Sequence, residues 1–330
     1  MAARFDVERF PRIALGHGPT PLEPLERLSK HLGGANLWVK RDDCTGLALG
    51  GNKVRKLEYL LAEAIADGAD TVITVGGVQS NHARQTAAGA ARLGLRCELV
   101  LPRVVDRHDP LYEANGNILL DHLLGAHVHL MNDEEAAAAR VVQLMEDATA
   151  RGGKAAFFPS GGSTATGALG YVRAAAELVS QCAERNLRPR LVVVATSTGG
   201  TLAGLLTGLA ALDSPIDVTG VAVYDAAETT RDRVRALVAE TATLFGTAPA
   251  EDGRIQIVGD QLGPAYGQPT EAMREALELC ARFEGLLLDP VYSGKAMAGL
   301  IDLVRRREIE PKDSAVFWHT GGSPALFAYG

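Results

Sequence analysis

The stretch GGNKVRKLEYLLAEA, residues 50–64, sets a lysine at the first position of a helix. Val54, Leu57, Leu61 and Ala64 recur at spacings of three and four, the apolar stripe of a helix that faces a core. Asn52 reads as its N-cap and Gly68 as its stop. A helix N-terminus carries positive partial charge, yet Lys53, Arg55 and Lys56 crowd three cations there. The dipole and the two neighbours are expected to push the Lys53 ammonium below the ordinary lysine pKa of about 10.4. A partly neutral lysine amine is a nucleophile suited to forming a Schiff base with an aldehyde. A solvated side chain is the plainer alternative; the glycines before it, which permit close backbone approach, favour chemistry at Lys53.

Two further turns carry suitable residues. In GGVQSNHARQ (76–85), Ser80, Asn81 and His82 stand at a strand-to-helix turn. Helix N-terminal N–H groups beside hydroxyl and amide side chains make a carboxylate cradle. Simple capping by Ser80 or Asn81 would use one polar residue, and there are three. In ATSTGGTLAGL (195–205), Ser197, Thr198, Gly199, Gly200 and Thr201 could surround a phosphate with N–H groups and hydroxyls. No GK[ST] follows, so this is no Walker A loop, and it is no GxGxxG fingerprint either. A phosphate site without nucleotide machinery, together with an amine nucleophile, points to pyridoxal phosphate.

The elements that must hold these turns are legible as alternation. The runs TVITVGG (71–77), CELVL (97–101), LVVVAT (191–196), VTGVAVYD (218–225), GLLLD (285–289) and AVFWHTGG (315–322) read as strands, with Ala/Leu-rich helical patterns between them. Such alternation implies an α/β fold with mainly parallel, twisted sheet built from right-handed βαβ units. At 330 residues, one large or two linked domains are expected. Hydrophobic residues at 47% and charged residues at 22% argue against disorder. The formal charge of −7 gives no reason to expect nucleic acid. Cys44, Cys97, Cys182 and Cys280 lie far apart with no CxxC, so neither a disulfide framework nor a zinc knuckle is indicated. With no signal-like leader and no apolar run of membrane-spanning length, a soluble cytoplasmic protein is expected.

Read together, KRDDCTGLALGGNKVRKLEYL, GGVQSNHARQ, PSGGSTATGALGYV, LLLDPVYSGKAMAGLIDL and HTGGSPALFAYG closely resemble the D-cysteine desulfhydrase and 1-aminocyclopropane-1-carboxylate (ACC) deaminase family. These are tryptophan-synthase-β-like, fold type II pyridoxal-phosphate enzymes. The resemblance implies two α/β domains with the cofactor between them: a small inserted domain at 48–159, and a large one from 1–47 plus 160–330. It implies a homodimer. Lys53 matches the Schiff-base lysine, with Asn52 before it. Ser80, Asn81 and His82 match the loop that holds substrate carboxylate, with Asn81 also near the cofactor. Thr198 to Thr201 match the phosphate loop, although Gly199 and Leu202 depart from its commoner form. Tyr292 matches the active-site tyrosine, and Thr320 the residue facing the pyridine nitrogen.

The departures bear on the substrate. ACC deaminases of this family carry glutamate at the position of Ser293 and glutamine at that of His82. A carboxylate near the pyridine nitrogen would keep it protonated and the ring a strong electron sink, which serine does not do. Ring opening of a cyclopropane needs that sink more than β-elimination does. D-cysteine desulfhydration is therefore expected, with L-cysteate sulfo-lyase as the alternative and ACC deaminase behind both; Ser293 is expected beside the substrate. An NAD-dependent dehydrogenase would need the absent dinucleotide fingerprint, and a non-catalytic binding protein would have no use for Lys53. Tyr266, between glycine/proline turns, is a further pocket candidate. His127 and His129 share a strand face without a third ligand, so no metal is expected.

Overall fold

The computed structural model describes residues 5–329. Its strands are β1 (Leu22–Pro24), β2 (Asn36–Arg41), β3 (Thr71–Val75), β4 (Arg96–Pro102), β5 (His127–Met131), β6 (Ala155–Phe158), β7 (Leu191–Thr196), β8 (Asp217–Ala222), β9 (Gln256–Val258) and β10 (Ser314–His319). They form a six-stranded sheet in the order β1-β2-β10-β7-β8-β9 and a four-stranded sheet in the order β5-β4-β3-β6. Every pairing is parallel except β1 with β2. The helices are α1 (Glu26–His31), α2 (Lys53–Ala66), α3 (Asn81–Leu93), α4 (Pro110–Ala114), α5 (Asn117–Leu123), α6 (Glu134–Ala150), α7 (Ala165–Glu184), α8 (Gly200–Ala211), α9 (Ala227–Phe245), α10 (Glu271–Glu284), α11 (Ser293–Arg305) and α12 (Leu326–Tyr329). This is the expected α/β architecture of fold type II.

The side-chain alternation of each strand assigns its two faces. Val193, Phe317 and Val221 point to one side of the larger sheet, where Met297, Leu300 and Ile301 of α11 meet them. Val192, Val194 and Trp318 point to the other, against Tyr171 and Leu178 of α7 and Leu205 of α8. In the smaller sheet Val72, Leu99 and Leu101 pack against α2 and α3, while Ile73 and Val100 meet α6. Both faces are covered, as parallel strands require, and each buried aliphatic side chain contributes roughly 1.5–3 kcal/mol. All four strands of the smaller sheet lie between residues 71 and 158. Leu15 and Ala328, from the two ends of the chain, complete its core.

One expected strand is absent: GLLLD enters neither sheet. The Leu287 carbonyl instead accepts side-chain hydrogen bonds from His319 Nε2 and Ser323 Oγ, both at 3.2 Å. Among the described residues no helix is long and apolar enough to cross a membrane. No group of three His, Cys, Asp or Glu side chains among them could hold a metal. His129 Nε2 lies 2.7 Å from the Glu98 carboxylate instead.

Candidate active site

The turns that leave the carboxyl ends of β2, β3, β6, β7 and β10 face one another across a cavity of about 540 Å³, the place where parallel α/β sheets bind ligands. Asn52, Lys53, Ser80, Asn81, His82, Ser197 to Thr201, Tyr266, Tyr292 and Thr320 all line it. Ser293 does not.

The three cations of α2 have three destinations. Lys53 points into the cavity, where its ammonium donates to Asn52 Oδ1 at 3.1 Å. Arg55 turns away to a buried acid pair. Its Nε and Nη2 donate to Asp42, and Nη1 and Nη2 to Glu177, all at 2.9–3.0 Å. Lys40 also donates to Glu177, while Tyr171 and Trp318 donate to Asp42. This network ties the first turn of α2 to β2 and α7. Lys56 reaches the turn after β6, donating to the Gly161 carbonyl at 3.0 Å and Ser163 Oγ at 3.1 Å. The Lys53 pKa falls to about 8, as expected, but the cause is different: burial lowers it and the Asp289 carboxylate works against that. Arg55 is neutralised by its own partners.

Asn52 is no N-cap. Its side chain makes no capping bond, because it donates to Thr201 Oγ1 at 3.0 Å while receiving Lys53. Its backbone N–H donates to the Thr320 carbonyl at 3.0 Å. One residue thus joins the turns after β2, β7 and β10.

The expected phosphate cradle is built from more than its own loop. Gly199 has a φ of 87°, which an L side chain rarely adopts, and it aims the N-terminus of α8 at the cavity. Ser163 Oγ accepts the Gly200 N–H at 3.2 Å and lies 2.7 Å from Thr198 Oγ1. A Cβ on Gly200 would lie 2.7 Å from Ser163 Oγ and 2.8 Å from Lys56 Nζ, so a larger residue would push both groups out of place. Lys56 is 1% exposed and its ammonium bonds a carbonyl and a hydroxyl, with no carboxylate among the described residues. Burial and the nearby Lys53 hold its pKa well below the usual lysine range. A buried cation without a counter-ion is costly. The N-terminus of α8, the hydroxyls of Ser197, Thr198 and Thr201, and the Lys56 amine line the cavity together and fit a phosphate dianion, which would hold Lys56 protonated. In sequence Lys56 reads only as a neighbour of Lys53, and nothing marks Ser163; the signal for Lys56 is its place three residues on, on the same helix face as Lys53.

On the opposite wall, Ser80 does cap α3, accepting the Ala83 N–H at 3.1 Å. Its own O–H is left to donate into the cavity. Asn81 Oδ1 accepts from Asn117 Nδ2 at 3.0 Å, which turns its NH2 group outward as a donor. His82 is 2% exposed, and neither ring nitrogen has a partner among the described residues. Burial, then Lys53 and Lys56, keep the imidazole neutral. Tyr292 and Tyr266 share a short hydroxyl–hydroxyl bond, and Tyr224 meets the Tyr266 ring edge-on at 4.8 Å. Burial raises both phenol pKa values and so keeps both protonated.

Ser293 is a correction. It is fully buried: its hydroxyl donates to Asp289 Oδ1 at 2.6 Å and accepts the Asp289 N–H at 2.8 Å. Asp289 also receives the N–H groups of Val291, Tyr292 and Ser293. Serine here closes the start of α11 and lies outside the cavity lining. Because it follows Tyr292 at the helix entry, the backbone carries its side chain to the core side.

The family model for pyridoxal-phosphate dependent enzymes matches residues 13–321. The chain is 45% identical to the 1-aminocyclopropane-1-carboxylate deaminases of Burkholderia vietnamiensis (strain G4 / LMG 22486) and Burkholderia cenocepacia (strain J2315), covering 98% of both chains in each comparison. A crystal structure of an ACC deaminase homologue superposes with a TM-score of 0.90 at 38% identity, over 98% of this chain and 95% of that one. A threonine deaminase crystal structure, from T.th., shares the fold, with a TM-score of 0.65 at 22% identity over 92% of each chain. The cradle, the buried Lys56 and the cavity lysine agree with that match along the whole length, and the chain belongs to the fold type II pyridoxal-phosphate-dependent lyases of the D-cysteine desulfhydrase and ACC deaminase family.

Proposed function

We propose that this lyase carries out β-elimination on D-cysteine, giving pyruvate, ammonia and sulfide. The observation that carries the reading is the charge of the cavity wall beside Tyr292. Among the described residues Glu134 is the one carboxylate in the wall, and the Tyr224 hydroxyl donates to it at 3.2 Å. Thr320 is neutral, and Ser293 is sealed against Asp289. The wall therefore suits expulsion of a good leaving group better than opening of a cyclopropane. A sulfonate would call for an unengaged cation, but Arg233 donates to Asp225 and to the Ser197 carbonyl.

Bound pyridoxal phosphate supplies the electron sink for carbanion character at Cα. Lys56, Thr198, Gly199, Gly200 and Thr201, which line the cavity, would hold its phosphate, Ser163 would orient Lys56 and Thr198 from behind, and Asn81 would orient the ring. The protein's own steps follow from the groups around them. Ser80 O–H and the first N–H groups of α3 hold the substrate carboxylate. Lys53, with its pKa near 8, takes the Cα proton as the free amine. Tyr292, kept protonated by burial, gives a proton to the departing sulfur and is restored through Tyr266.

ACC deamination is the second reading, favoured by the names of relatives at 45% identity. One panel separates the readings: purified enzyme is given D-cysteine, L-cysteine, L-cysteate and ACC, and pyruvate, sulfide, sulfite and 2-oxobutyrate are measured. Sulfide from D-cysteine at the highest kcat/KM is expected. 2-Oxobutyrate from ACC as the fastest product would replace the proposal by the second reading, and sulfite from L-cysteate would show that Arg233 exchanges its partners for a sulfonate. Lys53→Ala turning over D-cysteine at the wild-type rate would end all of them.

A further inference from the structure

Helix α3 gives its first residues, Asn81 and His82, to the cavity, and its next polar residues face the other way. Arg84 is fully buried and donates from Nη2 to the Gly50 carbonyl at 3.1 Å and from Nη1 to the Ala48 carbonyl. Gln85 Oε1 accepts the Val54 N–H at 2.9 Å, the bond that Asn52 does not make as a cap, and its Nε2 is fixed by the Asn81 carbonyl at 3.0 Å. Between those anchor points the backbone is strained. Ala48 and Leu49 have φ values of 43° and 68°, and Gly50 and Gly51 of 66° and 131°. A side chain other than glycine in the left-handed region persists only where its surroundings over-determine it. Gln85 also packs against Gly51 so closely that a Cβ there would lie 2.5 Å from Nε2. Behind Arg84 sits Asp121 on α5, fully buried, with neither carboxyl oxygen hydrogen-bonded among the described residues; burial raises its pKa to about 8, against the pull of Arg84.

We propose that Arg84 and Gln85 are positioning residues: they clamp the 48–54 turn so that Lys53 stands at a fixed distance from Ser80, Asn81 and His82, which lie on the same rigid helix. Nucleophile and carboxylate cradle are thereby set by one element, although they come from different parts of the chain. The proposal rests on Lys53 being the residue that bonds pyridoxal phosphate.

The test uses Arg84→Met, Arg84→Lys and Gln85→Met, each purified with the cofactor removed. Two quantities are measured: the rate at which added pyridoxal phosphate becomes covalently attached to Lys53, followed by visible absorbance and by mass after borohydride reduction, and the thermal midpoint of the cofactor-free protein. A displacement of order 1 Å at a reacting group costs about a hundredfold. Attachment is expected to slow about ten- to a hundredfold in Arg84→Met and Gln85→Met, with Arg84→Lys recovering part of the loss, at thermal midpoints that do not follow the same order. Wild-type attachment rates in folded Arg84→Met and Gln85→Met would overturn the proposal. So would losses that track the thermal midpoint, because a merely structural role predicts that. If Arg84→Met does not fold, Gln85→Met and Arg84→Lys decide. Failure of the underlying reading looks different: wild type itself would attach nothing at Lys53.

Discussion

Replacing Lys56 by methionine separates two effects that the wild-type cradle combines. The side chains are similar in length, so the main change is loss of the buried charge and its two hydrogen bonds, to Gly161 O and Ser163 Oγ. In the cofactor-free protein those bonds are worth about 1–3 kcal/mol together. Against them stands the cost of burying an ammonium without a counter-ion, several kcal/mol before the group gives up its proton. The fold without cofactor should therefore be as stable as wild type or more so. With pyridoxal phosphate the sign reverses. The phosphate carries nearly two negative charges. A contact at 4 Å is worth at most about 4 kcal/mol per charge pair at a surface-like dielectric, and a charge-assisted hydrogen bond about 1.5–3 kcal/mol net. The smaller figure is the better guide, because Lys56 must first take up a proton, and it corresponds to roughly a 10- to 150-fold weaker Kd. Pyridoxal, which has no phosphate, should change less than about threefold by the same reasoning. The assay is fluorescence or absorbance titration of the cofactor-free proteins with both compounds, beside urea unfolding without either. Equal loss for the two compounds would refute the reasoning, since Lys56 would then be acting through the fold. An unchanged Kd for pyridoxal phosphate with a lower unfolding midpoint would refute it more directly.

Further outcomes follow from the same geometry. The rate of pyridoxal phosphate attachment to the cofactor-free protein should rise with pH through about 8, where Lys53 loses its proton, and a midpoint near the ordinary lysine value would contradict its burial. Glu177 has a pKa lowered to about 2: burial opposes ionisation, but Arg55 and Lys40 outweigh it. A depressed carboxyl stabilises the fold above its unfolded pKa of about 4.3, and that contribution is lost as pH falls toward 2. Urea midpoints measured between those limits should fall in wild type and show a shallower slope in Glu177→Gln. Ser293→Ala should lower stability by about 1–2 kcal/mol through the lost hydroxyl bond to Asp289 Oδ1 and the Asp289 N–H left without its acceptor, and leave the ratio of activities on D-cysteine and ACC unchanged. A changed ratio would put Ser293 back beside the substrate. Tyr266→Phe should lower kcat by about tenfold or more with little effect on KM, because it leaves Tyr292 present but without its proton partner; a change in KM alone would show that the pair only binds.

The α/β class, the three turns that line the cavity and the cofactor were legible in the sequence, because each rests on local rules. Strand and helix periods, glycine before a helix and the absence of nucleotide fingerprints are all read within a dozen residues, and the family motifs lie in continuous blocks. What a residue does once its neighbours arrive from elsewhere lay beyond that reading. Asn52 looks like a cap until Thr201 and Thr320, far along the chain, take its hydrogen bonds. Lys53, Arg55 and Lys56 look alike until burial, Asp42 with Glu177, and the Ser163 turn give each a different task. Ser293 looks like a substrate contact until Asp289, four residues before it, consumes both sides of its hydroxyl. Adjacent positions in sequence differ by about 100° around a helix, so motif membership does not say which side chain meets the cavity. Orientation, burial and long-range partners settle that, and those exist only in the folded chain.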